Sequence, residues 1–236
     1  MSHLAVRVEV AKLAHDLSVD PDALAFLTDA PADSVRALRT DVAHALFQRH
    51  EARFRRLARL SHLAPVPITA KVAEVAFSPL LGARVAAVMD PELAVRLAAR
   101  LSPGFLTDLA VRLDPVRAEP IIRGLPVPLV QEVGARLLER GEHLALGRFV
   151  SVVDVEAALA VVAEASPADL LQVALCTEDL DALEAVMSRL PDDRLVGVLE
   201  AGRAPESSDD LASLLESVSD PTRDRLLGLL DRLPGS

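Results

Sequence analysis

Between Pro67 and Leu125 the apolar and polar positions recur every twelve residues, marked by prolines at 67, 79, 91, 103 and 115. Four of these prolines follow Ser or Asp, in Ser78-Pro79, Asp90-Pro91, Ser102-Pro103 and Asp114-Pro115. That order opens a helix: the side-chain oxygen accepts an orphan backbone N–H at the N-cap, and proline in the first turn forfeits no hydrogen bond. Sixth and tenth after the proline stand Val85 and Met89, Leu97 and Leu101, Leu109 and Leu113, Ile121 and Leu125. A spacing of four keeps each pair on one face. The pattern predicts helices about ten residues long, each too short to stand alone in water and each stabilised by stacking on its neighbours.

On either side of this ladder the same punctuation continues. Residues 4–17 read as a helix, Asp20-Pro21 opens a short one through Leu27, and a third begins near Pro31. From Asp33 to Ala64 neither Gly nor Pro interrupts the chain, and Val35, Leu38, Val42, Leu46, Phe54, Leu57 and Leu60 keep helical spacing. This predicts one long helix, or two with a bend near His50. Beyond the ladder, units fall at 127–140, 141–153, 154–166, 167–179, 180–191 and 192–204, with Asp154 and Ser166-Pro167 as further openers. The stretch 203–210 (RAPESSDD) reads as a surface loop, followed by helices at 211–218 and, opened by Asp220-Pro221, at 222–233, with a frayed Pro-Gly-Ser end. The expected fold is all-α: an α-solenoid or superhelix of short helices in twelve-residue units over 64–236. A longer-helix segment over 1–63 precedes it, either as a separate domain or continuous with the array.

Composition sharpens that expectation. Apolar residues make up 51% of the chain, yet six are Phe and none is Trp or Tyr, so the core must be built from Ala, Leu and Val. Small side chains suit closely approaching helices better than strands, which favour aromatic and β-branched residues. A single Cys176 excludes an internal disulfide, and no charged-then-apolar leader pattern opens the sequence, so a cytoplasmic setting is expected. Charged residues or proline break every apolar run short of the ~18 residues of a membrane span. Only Lys12 and Lys71 among the 25 basic residues are lysines, a bias that fits GC-rich bacterial coding. Of the net charge of −10, residues 1–60 contribute nine basic and eight acidic groups, 61–149 ten and nine, and 150–236 six and eighteen. The acidic last part repels nucleic acid and anionic membrane, and neither is expected as its partner.

The run from Met89 to Pro126, MDPELAVRLAARLSPGFLTDLAVRLDPVRAEPIIRGLP, resembles the intracellular amino-terminal domain of MgtE-type magnesium transporters, in which short helices of the pattern DP-x-x-A-x-x-L-x-x-L stack into a superhelix. Flagellar motor-switch proteins carry a similar array. The resemblance covers 67–126 and extends to about residue 200. It implies a right-angled or curved stack of short helices. It does not carry magnesium transport to this chain, which has neither the membrane helices nor the nucleotide-binding-type domains that accompany that array.

Candidate chemistry is sparse. The basic cluster Arg49, Arg53, Arg55, Arg56 and Arg59 is a candidate grip for an acidic partner, with Arg49, Arg53 and Arg56 as its leading residues; a solvated helix face partly paired with the acidic region is the alternative. No aromatic interleaving or Gly-rich loop supports nucleic-acid reading. The six histidines include no pair at i, i+4, and there is no CxxC. Two polar groups remain as candidate sites, Asp41 with His44 and His62, and Glu139 with Glu142 and His143. The paired acids Asp192/Asp193 and Asp209/Asp210, like Glu178/Asp179/Asp181, are candidates for a partner surface or a divalent ion, against the reading of helix-start charges facing the dipole. Cys176 lies in an apolar helix and reads as core. No cofactor, catalytic residue or metal ligand is assigned. The expected function is a non-enzymatic scaffold or adaptor that binds another protein on stacked helices. A carrier or sensor of a small apolar ligand held among Ala, Leu and Val, and an enzyme without a local motif, are the alternatives.

Overall fold

The punctuation becomes helix ends. A computed structural model describes residues 3–204 and 207–233, which form seventeen helices, one of them 3-10, and no strand. The first part comprises α1 (His3–Leu17), a 3-10 helix (Pro21–Leu27), α2 (Ala32–Gln48), α3 (Glu51–Leu60), α4 (Val66–Ala76), α5 (Pro79–Ala86), α6 (Pro91–Ala98), α7 (Pro103–Arg112) and α8 (Pro115–Ile122). There follow α9 (Val127–Glu139), α10 (His143–Phe149), α11 (Val155–Val162), α12 (Pro167–Cys176), α13 (Leu180–Met187), α14 (Asp192–Gly202), α15 (Ser208–Ser217) and α16 (Asp220–Leu230). No helix among the described residues is long and apolar enough to cross a membrane.

Most openers act as expected. Ser78 Oγ accepts from the Leu81 N–H at 3.3 Å, Asp90 Oδ1 from Leu93 at 2.9 Å, Asp114 Oδ1 from Arg117 at 3.3 Å, and Ser166 Oγ from Asp169 at 3.1 Å. Four differences follow from local geometry. Pro67 stands second in α4, behind Val66, with Pro65 at the N-cap. The Ser102 and Asp154 side chains make no cap bond. The segment opened by Asp20 winds as a 3-10 helix rather than an α-helix. The Gly/Pro-free stretch breaks at Arg49-His50 into α2 and α3, in keeping with the second of its two expected readings. The loop expected over 203–210 is shorter, since Ser208 already starts α15; Pro205, Glu206 and the final Pro-Gly-Ser lie outside the described residues.

The chain forms two compact units, Met1–Ala118 and Glu119–Ser236, a division that falls inside α8 and that the proline ladder does not announce. In both, a helix packs on the helix two further along. In the first unit α3 meets α5, α5 meets α7 and α4 meets α6; in the second the series are α9, α11, α13 and α10, α12, α14, α16. Over these series consecutive short helices alternate between two files, while α15 departs from the alternation and packs on α12 and α14. The contacts are close because the crossing points carry glycine. A Cβ on Gly147 of α10 would lie 2.6 Å from the Cys176 carbonyl carbon of α12, and one on Gly134 of α9 would lie 2.6 Å from both Val161 methyls of α11. In the first unit Gly82 of α5 faces Leu109 of α7, where a Cβ would come within 3.2 Å.

Polar side chains tie three helices to the third one along, α4 to α7, α11 to α14 and α13 to α16. Glu74 of α4 accepts from the Ser102 N–H that opens α7, and Glu184 of α13 accepts from the Ser219 N–H and hydroxyl that open α16. In the other direction, Arg194 of α14 donates to the Val162 and Ala165 carbonyls at the end of α11, at 2.6 and 2.7 Å. Arg225 of α16 likewise donates to the Met187 and Leu190 carbonyls at the end of α13, at 3.1 and 3.0 Å. Orphan amides and carbonyls are most numerous per residue in short helices, and these long side chains satisfy them. The backbone N–H of Ser219, then its hydroxyl, holds the Glu184 carboxyl below the usual glutamate range.

Two outcomes are expected. Gly147→Ala should destabilise the protein by about 1–3 kcal/mol, because its new methyl meets backbone that cannot turn away; an unchanged midpoint in urea denaturation would contradict the close approach. A carboxyl with a lowered folded-state pKa contributes stability that is complete above its unfolded pKa and is lost as pH falls through the folded one. The stability difference between the native chain and Glu184→Gln should therefore be level above the ordinary glutamate range and shrink on acidification. A difference independent of pH in the same titration would exclude it.

Candidate functional site

The basic cluster lies on α3, a strongly amphipathic helix. Its inner face sets Phe54, Leu57 and Ala58 inward, and Phe54 lies 5.6 Å, ring to ring, from the buried Phe47 of α2. Arg117 fixes this corner from another direction: its guanidinium sits 4.3 Å from the centre of the Phe47 ring, and it donates to His44 Nδ1 at 2.9 Å and pairs with Asp114 at 3.1 Å. Since arginine only donates, His44 Nδ1 accepts and its proton resides on Nε2.

The outer face of α3 is different. Arg55 is held by Glu51 at 2.9 and 2.6 Å, but Arg49, Arg53, Arg56 and Arg59 are exposed and have no ion-pair partner among the described residues. Along α3, like charges at i, i+3 (Arg53/Arg56, Arg56/Arg59) repel one another, while Arg49 stands at the end of α2 before the break at His50. Beside it, Arg55, Ala58, Arg59 and His62 form with Val88 and Asp90 a polar cleft of about 130 Å³. Asp90 also caps α6, so its carboxylate is already engaged.

The polar groups singled out from the sequence are dispersed. His44 belongs to the Arg117 corner, His62 lines the cleft, and Asp41 is exposed and joins neither. Glu139 ends α9 exposed, and Glu142 stands before α10 without a side-chain cap. Gly141, at φ 68°, turns the chain between them: its N–H donates to the Leu138 carbonyl and that of Glu142 to Leu137, the paired bonds of a Schellman ending. This turn places His143 against Asp169, Nε2 to Oδ1 at 2.7 Å, while the Ser166 hydroxyl donates to Asp169 Oδ2 at 2.6 Å. The Ser166 hydroxyl, and after it the His143 imidazole, holds the Asp169 carboxyl below the usual aspartate range. Ser, His and Asp thus meet, but with the carboxylate in the middle. Nucleophilic catalysis needs the imidazole next to the hydroxyl, and here the hydroxyl proton is directed to the Asp169 carboxylate, in the first turn of the helix that Ser166 caps.

The paired acids sit at helix starts. Asp192 and Asp193 lie in the first turn of α14 and Asp209 and Asp210 in that of α15; Asp192 pairs with Arg225 at 2.6 Å, and Asp210 accepts from Gln172 at 2.9 Å. Asp179 caps α13 through the Ala182 N–H. Among the described residues no three His, Cys, Asp or Glu side chains are placed to hold a metal ion. Cys176 is buried in the α10/α12 contact.

One charged cluster escaped the reading of the sequence. Glu9 and Lys12 of α1 are each 2% exposed and 3.3 Å apart. From α2, Arg36 and Arg39 reach the two Glu9 oxygens at 3.3 and 3.4 Å, and Arg39 approaches Asp16 at 3.9 Å. Glu9, Lys12 and Asp16 recur at helical spacing beside the apolar stripe Val6, Val10 and Leu13, which was the available signal. What it lacked was the partner helix. The pairing fits α1 against α2 in one register and is structural.

No protein family, curated protein or solved structure matches this chain. The functional reading rests on its own residues.

Removing one member of a buried ionic cluster strands the others. Glu9→Ala should cost about 3–5 kcal/mol in chemical denaturation. A cost below about 1 kcal/mol, the ceiling of an exposed pair, would show that water reaches the cluster.

Proposed function

We propose that this protein is a non-enzymatic binding scaffold and that the ridge of α3 holds an acidic segment of another protein. The uncompensated guanidinium row Arg49, Arg53, Arg56 and Arg59 carries this reading. It works against the helix that bears it, and carboxylates of a partner would relieve that repulsion while satisfying donors suited to bidentate pairing. Between the two charged surfaces of the chain, the basic one is preferred because Asp192 and Asp210 already have partners inside the protein. The resemblance of the proline ladder to the stacked short helices of the MgtE-type array agrees with a scaffold. The order of Ser166, Asp169 and His143 supports a non-enzymatic reading.

The partner retained by the immobilised native chain should be released as salt rises, since exposed charges are screened beyond ~8 Å at physiological ionic strength. Arg53→Glu/Arg56→Glu should weaken binding by more than about tenfold, as close charge pairs across an interface couple by roughly 1.5 kcal/mol or more. Its melting temperature should not fall. Asp192→Asn/Asp193→Asn should bind as the native chain does. Salt-insensitive binding untouched by the arginine pair would overturn the proposal; a homogeneous apolar molecule in native mass spectra of the same sample would then favour the ligand-carrier alternative.

A further inference from the structure

Arg59 belongs to two surfaces. A residue three places further along a helix stands about 60° back around its axis, so the row Arg53, Arg56 and Arg59 crosses the outer face of α3 obliquely. It ends on the flank where Arg55 stands four residues before Arg59 and His62 three after, in the turn whose His62 N–H donates to the Arg59 carbonyl at 3.3 Å. That flank is one wall of the polar cleft, and the turn between α5 and α6 supplies the other with Val88 and Asp90. Three polar groups of the cleft have bonding capacity that the fold does not use. The Arg59 guanidinium and the His62 imidazole have no side-chain partner among the described residues. Asp90 accepts from the Leu93 N–H at 2.9 Å through Oδ1, which fixes the carboxylate in place, and its Oδ2 has no donor among the described residues.

We infer that the cleft seats the carboxyl terminus of the acidic segment held on the ridge: the terminal α-carboxylate lies against Arg59 and His62, and the backbone N–H of the same last residue donates to Asp90 Oδ2. This rests on the proposed role of the ridge and adds that the segment ends at the cleft. The mixed polarity of the walls selects the ligand. Guanidinium and imidazole on the α3 wall attract an anion, and either protonation state of the imidazole offers an N–H. The carboxylate on the facing wall requires a donor. A terminal residue brings both, because its carboxylate and its N–H are carried on one α-carbon. An aspartate or glutamate side chain brings the anion with only methylene beside it, and a phosphoryl group brings close to two charges and no N–H, so each would face Asp90 without the compensating bond. Size agrees: about 130 Å³ is the volume of roughly four water molecules, room for a carboxylate and a small side chain. Ala58 and Val88, the apolar residues of the cleft, suit a last side chain that is small and apolar.

In fluorescence anisotropy at low salt, an N-terminally labelled oligoglutamate peptide ending in alanine should bind the full chain at least about tenfold more tightly than its carboxyl-terminal amide lengthened by one glutamate, which carries the same charge. Arg53→Ala should weaken both peptides by a similar factor and leave their ratio unchanged. Arg59→Ala and His62→Ala should each bring the ratio towards one. All three side chains are exposed, so each variant should keep the native circular dichroism spectrum. Two peptides that bind the native chain alike, and that Arg53→Ala weakens, overturn the inference and leave the ridge in its proposed role. A preference for the free acid that survives both cleft variants overturns it as well. Binding of neither peptide overturns the inference and the ridge reading together.

Discussion

The close approach of each helix to the one two places along is the contact on which the rest of the structure depends. Helices of eight to ten residues such as α5, α6 and α12 do not hold their hydrogen bonds in isolation, so their stability must come from burial between neighbours. With no Trp or Tyr to fill space, burial is efficient only if backbones nearly touch. Gly82, Gly134 and Gly147 allow that, and the core around them is Ala, Leu and Val. The absence of large side chains and the presence of glycine at the crossings are two sides of one packing solution.

Short helices create a second constraint. Every helix leaves unpaired amides at its start and carbonyls at its end, and an array of short ones multiplies both. Proline in the first turn removes a donor, Ser or Asp satisfies another, and the remainder are reached from three helices away by Glu74, Glu184, Arg194 and Arg225. These links also set the relative placement of helices that apolar contacts alone leave free to slide. Glu184 and Arg225 make the same pair of helices, α13 and α16, cap one another at both ends. At the other end of the chain, the buried Glu9 cluster acts in the same way between α1 and α2.

The packing leaves two faces of different chemistry uncovered: the guanidinium row of α3, without an ion pair among the described residues, and the exposed apolar stripe Ile68, Val72 and Val75 of α4. Elsewhere the polar residues that looked like chemistry serve helix ends: Ser166 caps α12, Asp169 in its first turn holds His143, and Asp192 fixes Arg225.

By itself the sequence determined the helix class, most helix starts and the inward residues of the proline ladder, because capping and the 3.6-residue period act within one turn of chain. Of the ladder's eight apolar positions, Val85, Leu97, Leu113 and Ile121 are buried and Met89, Leu101, Leu109 and Leu125 are half-buried. It did not determine which helices touch. That Glu9 and Lys12 are interior, that Glu74 reaches Ser102 and Glu184 reaches Ser219, that Arg117 lies on Phe47, and that the outer face of α4 lacks a neighbour all depend on contacts between residues distant in sequence. A charged stripe such as Glu9, Lys12 and Asp16 reads identically whether water or Arg36 and Arg39 stand opposite it. Only the tertiary structure decided that, because the free energy of a charge or an apolar side chain is set by what faces it rather than by its place in the chain.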